Sequence, residues 1–145
     1  MDMNIRKLQK KDVDSLYSLL KQTDFPHLPS KIDAESELLK EDNHIYLGVD
    51  SENEALALFL CFSERNGQLY FDIACNPDYS RRWASKKIIT FIFKTAFKTL
   101  GYDEFFVESL NEHARNVVKK FGFEKVIGNF YTLNVKSEAV KRYMD

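Results

Sequence analysis

Between Gln68 and Leu110 the sequence changes its hydrophobic period twice, and this restricts the folds open to the chain more than any single motif does. Residues 68–75 read as a strand. After Asn76-Pro77 the apolar positions Ile88, Ile89, Ile92, Phe93, Ala96 and Leu100 take a helical spacing opposite Lys87, Thr90, Lys94 and Lys98, and Gly101 closes that helix. Residues 104–110 then read as a strand again. Strand, long helix, strand is the pattern of a right-handed parallel crossover, because a parallel neighbour cannot be reached through a tight turn.

The flanking segments extend this pattern. Residues 44–49, 54–62 and 68–75 predict three consecutive antiparallel strands, separated by Asp50-Ser51-Glu52-Asn53 and by Arg65-Asn66-Gly67, the latter a short-hairpin signal. Residues 4–8 predict a further strand. A helix from about residue 12 keeps Val13, Leu16, Tyr17 and Leu20 on one side, with Asp12 and Asp14 suited to its first turn. The F-P-H-L-P-S stretch breaks the chain before a short helix over 32–40. Downstream, Asn111 leads into a helix carrying Ala114, Val117, Val118 and Phe121, stopped by Gly122; strands at 124–127 and 130–135 and a final helix in 137–144 follow. The expected architecture is α/β: a mixed central sheet, antiparallel among its N-terminal strands and parallel between 68–75 and 104–110, flanked by helices.

Composition narrows the function classes. A chain of 145 residues is one domain in size, so 1–145 is expected to form a single unit of function. A formal net charge of -1 gives no overall field toward nucleic acid or an anionic membrane, and any anion site must be local. Two cysteines, Cys61 and Cys75, and 3 His supply neither a disulfide framework nor metal-ligand spacing, so no metal is expected and a reducing compartment fits best. No apolar run has the length of a signal peptide core or a membrane span. The expectation is a cytoplasmic protein.

The segment leaving residue 75 concentrates the chemistry. Arg81, Arg82, Lys86 and Lys87 gather where a helix begins, and a helix N-terminus already carries partial positive charge and unpaired N–H groups. Either these side chains extend into water, or an anion of the phosphate type compensates them.

Here the chain resembles the GNAT N-acetyltransferases. Asn76-Pro77-Asp78-Tyr79 matches the V-x-P-x-Y-like stretch that leads from the family's fourth strand into a [QR]-x-x-G-x-[GA] loop, where backbone amides hold the coenzyme A pyrophosphate. In this chain Ser80 stands at the Gln/Arg position, Trp83 at the first glycine and Ser85 at the second. The string R-W-A-S-K-K is similar to the R-W-A-[NST]-[KR] form of GNAT-like proteins from bacteriophages and prophages. A second box, residues 111–123, resembles the family's N-x-x-A-x-x-l-Y-e-k-l-G-F, with Asn111, Ala114, Gly122 and Phe123 in place and Val118 at the tyrosine position.

The resemblance implies acetyl-CoA as cosubstrate, an amine on a small molecule or protein as acceptor, and direct attack without an enzyme nucleophile. It places the cofactor against Ser80, Arg81, Arg82, Trp83, Ala84, Ser85 and Lys86, with Asn111 on the pantetheine arm and the backbone of Ile73, Ala74 and Cys75 as oxyanion donor. Asn111 is equally a plain helix N-cap. Asp72 or Glu108 would serve as general base and Tyr131 as the acid that replaces the absent tyrosine; each also fits an ordinary surface or core-edge position. Cys75 is read as core packing rather than a covalent carrier. The Phe-rich helix face, with Phe91, Phe93 and Phe97, is read as core and alternatively as a homodimer contact. Residues 24–37 and Gly128-Asn129 are the expected acceptor side. The alternative function is a non-catalytic GNAT-fold phage structural or host-interaction protein.

Overall fold

A computed structural model describes residues 3–23, 28–79, 84–109 and 112–144, without the His113 side chain. Seven strands form one sheet: β1 (Met3–Lys7), β2 (Asn43–Asp50), β3 (Ala55–Arg65), β4 (Gln68–Cys75), β5 (Glu104–Glu108), β6 (Glu124–Ile127) and β7 (Phe130–Asn134), in the order β1-β2-β3-β4-β5-β7-β6. The helices are α1 (Val13–Gln22), α2 (Lys31–Leu38), α3 (Lys86–Lys94), α4 (Glu112–Lys120) and α5 (Glu138–Met144). β4 and β5 are parallel, with Tyr70 opposite Phe106, as the two changes of period require. The chain divides into two compact units, Met1–Ser63 with Asp72–Trp83 and Glu64–Phe71 with Ala84–Asp145.

In the first unit β1 and β3 flank β2 antiparallel. Ala57 to Phe62 of β3 are all buried, which is why this strand reads as a continuous apolar run instead of an alternation. Leu16 and Leu20 of α1 and Ala34 and Leu38 of α2 close over Ile45, Leu47, Phe59 and Ala74. Asp12 does more than favour the start of α1. Its carboxylate takes both terminal nitrogens of Arg6, at 2.6 and 2.7 Å, and the Gln9 amide at 2.9 Å.

In the second unit the β3–β4 hairpin turns through Asn66 and Gly67, both at positive φ (53° and 76°), the geometry of a two-residue turn that matches strand twist. β5, β7 and β6 pair antiparallel. Phe105, fully buried, meets the rings of Phe71, Phe93, Phe97 and Phe123 at centroid distances of 5.5 to 6.5 Å.

The long helix differs from its expected course. It begins at Lys86, not directly after Pro77, and the stretch Pro77–Tyr79 forms a short 3-10 turn of its own. Its C-terminal part, Thr95–Thr99, is wound as a π-helix, with the Leu100 amide on the Thr95 carbonyl at 2.9 Å. Ser85 sets the start, because it supplies the cap.

Candidate functional site

Two groups of candidate residues take their places from these elements, one in each unit. In the first unit, alternation along β4 sends Asp72 and Ala74 to one face and Ile73 and Cys75 to the other. Ala74 belongs to the core under α1 and α2, and Asp72 is half-buried. The Cys75 thiol donates to the Asn76 carbonyl at 3.3 Å, and burial pushes its pKa up to about 11. At neutral pH it is a protonated, poorly nucleophilic group, in keeping with packing and not with acyl carriage.

The chain leaves β4 under tight control. The Asn76 amide donates to the Ala57 carbonyl at 2.8 Å and its side-chain amide to the Leu56 carbonyl at 3.1 Å. Its side-chain oxygen accepts the Asp78 amide at 3.0 Å, and its carbonyl accepts the Tyr79 amide at 2.8 Å. Tyr79 is buried, and its hydroxyl donates to Asp50 at 2.6 Å. Asp50, 2% exposed, also accepts from the Asn53 side chain at 2.8 Å and the Glu52 amide at 3.1 Å. The Tyr79 hydrogen bond first, and the Asn53 bond after it, hold the Asp50 carboxyl below the usual carboxylate range. From the sequence alone Asp50 reads as a turn residue. The signal that was available is an Asp at a strand end followed three residues later by Asn.

In the second unit, Ala84, Ser85 and Lys86 are exposed at the start of α3. Ser85 caps the helix: its hydroxyl accepts the Ile88 amide at 3.3 Å, and its carbonyl accepts the Ile89 amide at 3.0 Å. The first turn contains no acid, and Lys86 and Lys87 add two positive charges to the positive end of the helix dipole. Such a terminus is suited to an anion. Ser80, Arg81, Arg82, Trp83 and Asn111 lie outside the described residues.

Glu108 and Tyr131 do not meet on one face. Val107 is the partner of Tyr131, and Glu108 of Phe130, so Glu108 projects with Phe106 and Phe130 while Tyr131 projects with Phe105, Val107 and Leu133. Tyr131 is 2% exposed and Glu108 half-buried. In the second box, Val118 is half-buried. Gly122, at φ 86°, ends α4 with the Phe123 amide on the Val118 carbonyl at 3.1 Å, and Phe123 joins the aromatic core. Gly122-Phe123 is thus a helix stop followed by a core ring.

The sequence profile of the Acetyltransferase (GNAT) family matches residues 11–123. The chain belongs to the GNAT acetyltransferase family. Solved structures share the fold of this GNAT along nearly its whole length. A mutant spermidine N-acetyltransferase SpeG from Vibrio cholerae superposes with a TM-score of 0.75 at 13% identity, covering 99% of this chain and 96% of that one. The dodecameric form of the same Vibrio cholerae enzyme gives 0.71 at 14% identity over 91% and 93%. Apo FdhC, described as a nucleotide-linked sugar GNAT, gives 0.71 at 13% identity over 97% and 89%. At such identities the likeness is one of fold. No protein of curated function matches the chain in sequence.

Proposed function

We propose that this GNAT is an N-acetyltransferase acting as one acyl-CoA-binding domain over residues 1–145, moving an acetyl group from acetyl-CoA to an amine by direct attack. The observation that carries the reading is the start of α3, capped by Ser85, free of acids in its first turn and bearing Lys86 and Lys87. A diphosphate there is favoured by the helix dipole and by charge-assisted hydrogen bonds.

Transfer needs a neutral amine, a donor for the oxyanion and a proton for the departing thiolate. The amine lone pair forms the new C–N bond, the C–S bond breaks, and the sulfur leaves as thiolate. In this reading the backbone at Ile73 to Cys75 donates to the thioester oxygen. Asp72 and Glu108, both half-buried, are the carboxylates assigned to the amine proton. Tyr131 is too enclosed, at 2% exposure, to reach a leaving group, so water supplies the thiolate proton. Spermidine and a nucleotide-linked sugar, suggested by what the structural neighbours are named for, head the acceptor panel, the sugar in a form that carries an amine.

Calorimetric titration with acetyl-CoA and with CoA tests the cofactor half. Wild type is expected to bind both, and Lys86→Glu to weaken both by at least about tenfold, the scale of one charge-assisted contact. A second reading, a GNAT-fold protein without acetyl transfer, draws on Val118 at the tyrosine position and Trp83 at the first glycine of the loop. It predicts no binding by wild type and a gain on Trp83→Gly.

A further inference from the structure

Asp50 is a buried carboxylate that none of the roles above uses. Its donors come from Glu52, Asn53 and Tyr79, so the turn between β2 and β3 reaches across 29 residues of sequence to the segment that leaves β4. A carboxylate in such a place is costly unless fully hydrogen-bonded, and an aliphatic pair would fill the same space without that cost. What the carboxylate adds is direction: the Tyr79 hydroxyl has one short, charge-assisted partner at 2.6 Å and so one place to sit. Asn76 makes a second polar tie three residues earlier, to the carbonyls of Leu56 and Ala57 on β3. The four residues Asn76 to Tyr79 are therefore pinned at both ends by hydrogen bonds, immediately after the strand whose backbone is assigned to the thioester.

We propose that Asp50 is a positioning residue for acetyl-CoA, acting through the Tyr79 hydroxyl to fix the path by which the chain leaves β4. The inference rests on the acetyltransferase reading and adds to it a residue from outside both family motifs. Displacing a donor by about 1 Å in such a site can cost on the order of a hundredfold, so a pin of this kind has a kinetic consequence that ordinary packing lacks.

The test uses the full chain and four variants, Tyr79→Phe, Asp50→Asn, Asp50→Ala and the Asp50→Ala/Tyr79→Phe pair, with melting temperature measured for each. Acetyl-CoA affinity is read by calorimetry and by the emission of Trp83, the sole tryptophan, four positions beyond Tyr79. Tyr79→Phe and Asp50→Ala are expected to weaken acetyl-CoA by about tenfold and to raise its KM without moving the KM of the acceptor amine. Asp50→Asn, which keeps an acceptor oxygen for the hydroxyl, is expected to recover most of the loss, and the double variant to be no worse than the poorer single one. Should Asp50→Ala fail to fold, Tyr79→Phe and Asp50→Asn still decide the matter. Lower melting temperatures with unchanged acetyl-CoA affinity would overturn the proposal and leave the acetyltransferase reading standing. Absence of acetyl-CoA binding by wild type would remove both.

Discussion

In the first unit the strands and the turns beside them are tied by side chains: Arg6 to Asp12 by two hydrogen bonds, Tyr79 and Asn53 to Asp50, Asn76 to Leu56, Ser63 to Asn43 at 2.9 Å. The second unit is organised around rings instead, with Phe105 against four other aromatics and Tyr143 against Phe93 and Phe121 at 5.7 and 6.1 Å. Both have apolar cores, but they differ in what fixes their geometry. Rings contribute large buried area with loose directional demands, and hydrogen bonds contribute little net energy with strict ones. The first unit is accordingly expected to lose precision before it loses stability, and the second to do the reverse.

The sharpest way to break this comparison is Phe105→Ala. It should cost about 3–5 kcal/mol, as large aromatic truncations in cores do, measured by urea unfolding of the full chain. A loss below about 1 kcal/mol would mean that the ring cluster is not the anchor of its unit. Gly48→Ala probes the first unit, since an added Cβ would meet Leu58 Cβ and Met3 Sδ at 3.0 Å each. Overpacking against the strand-borne Leu58 Cβ should cost about 1–3 kcal/mol, read in the same way.

Asp12→Asn should cost about 1 kcal/mol at pH 7, the scale of a well-oriented but partly exposed ion pair. The Arg6 hydrogen bonds lower the Asp12 pKa against the opposing effect of burial, so the folded carboxyl titrates below its unfolded value. Its stabilisation is therefore complete above that unfolded value of about 4 and disappears as pH falls through the lower folded one. The gap between wild type and variant should narrow as pH falls below about 4, and unfolding curves at pH 7 and pH 3 decide it. The smallest effect is expected at Cys75. With its thiol held protonated until about pH 11, Cys75→Ala should leave the proposed acetyl transfer within about twofold of wild type, and iodoacetamide at pH 8 should label Cys75 slowly.

Strand periods and turn residues made most of the architecture legible: β4 was bounded to the residue by Asn66-Gly67 before it and Asn76-Pro77 after it. Legibility failed where partners are distant. Phe130-Tyr131 is a pair of adjacent aromatics, and only the register that sets Tyr131 opposite Val107 says which of the two faces inward. The Asp50–Tyr79 bond spans two strands and carries no local pattern, so neither residue advertised the other. At the start of α3 the sequence places Ser85 at the second glycine position of the loop, and its part as the helix cap is visible only in the hydrogen bond from the Ile88 amide.

The π-wound end of the long helix bears on its apolar face when it is considered as angular phase. Buried residues recur there in pairs four apart, Ile88-Ile89, Ile92-Phe93 and Ala96-Phe97. An α-helix advances about 100° per residue, so a strict repeat of four drifts by roughly 40° at each step. The slower winding of Thr95–Thr99 takes back part of that drift, and Phe97 comes to rest with its ring 5.5 Å from Phe105. One widened turn converts a stripe that would spiral around the cylinder into a straight seam.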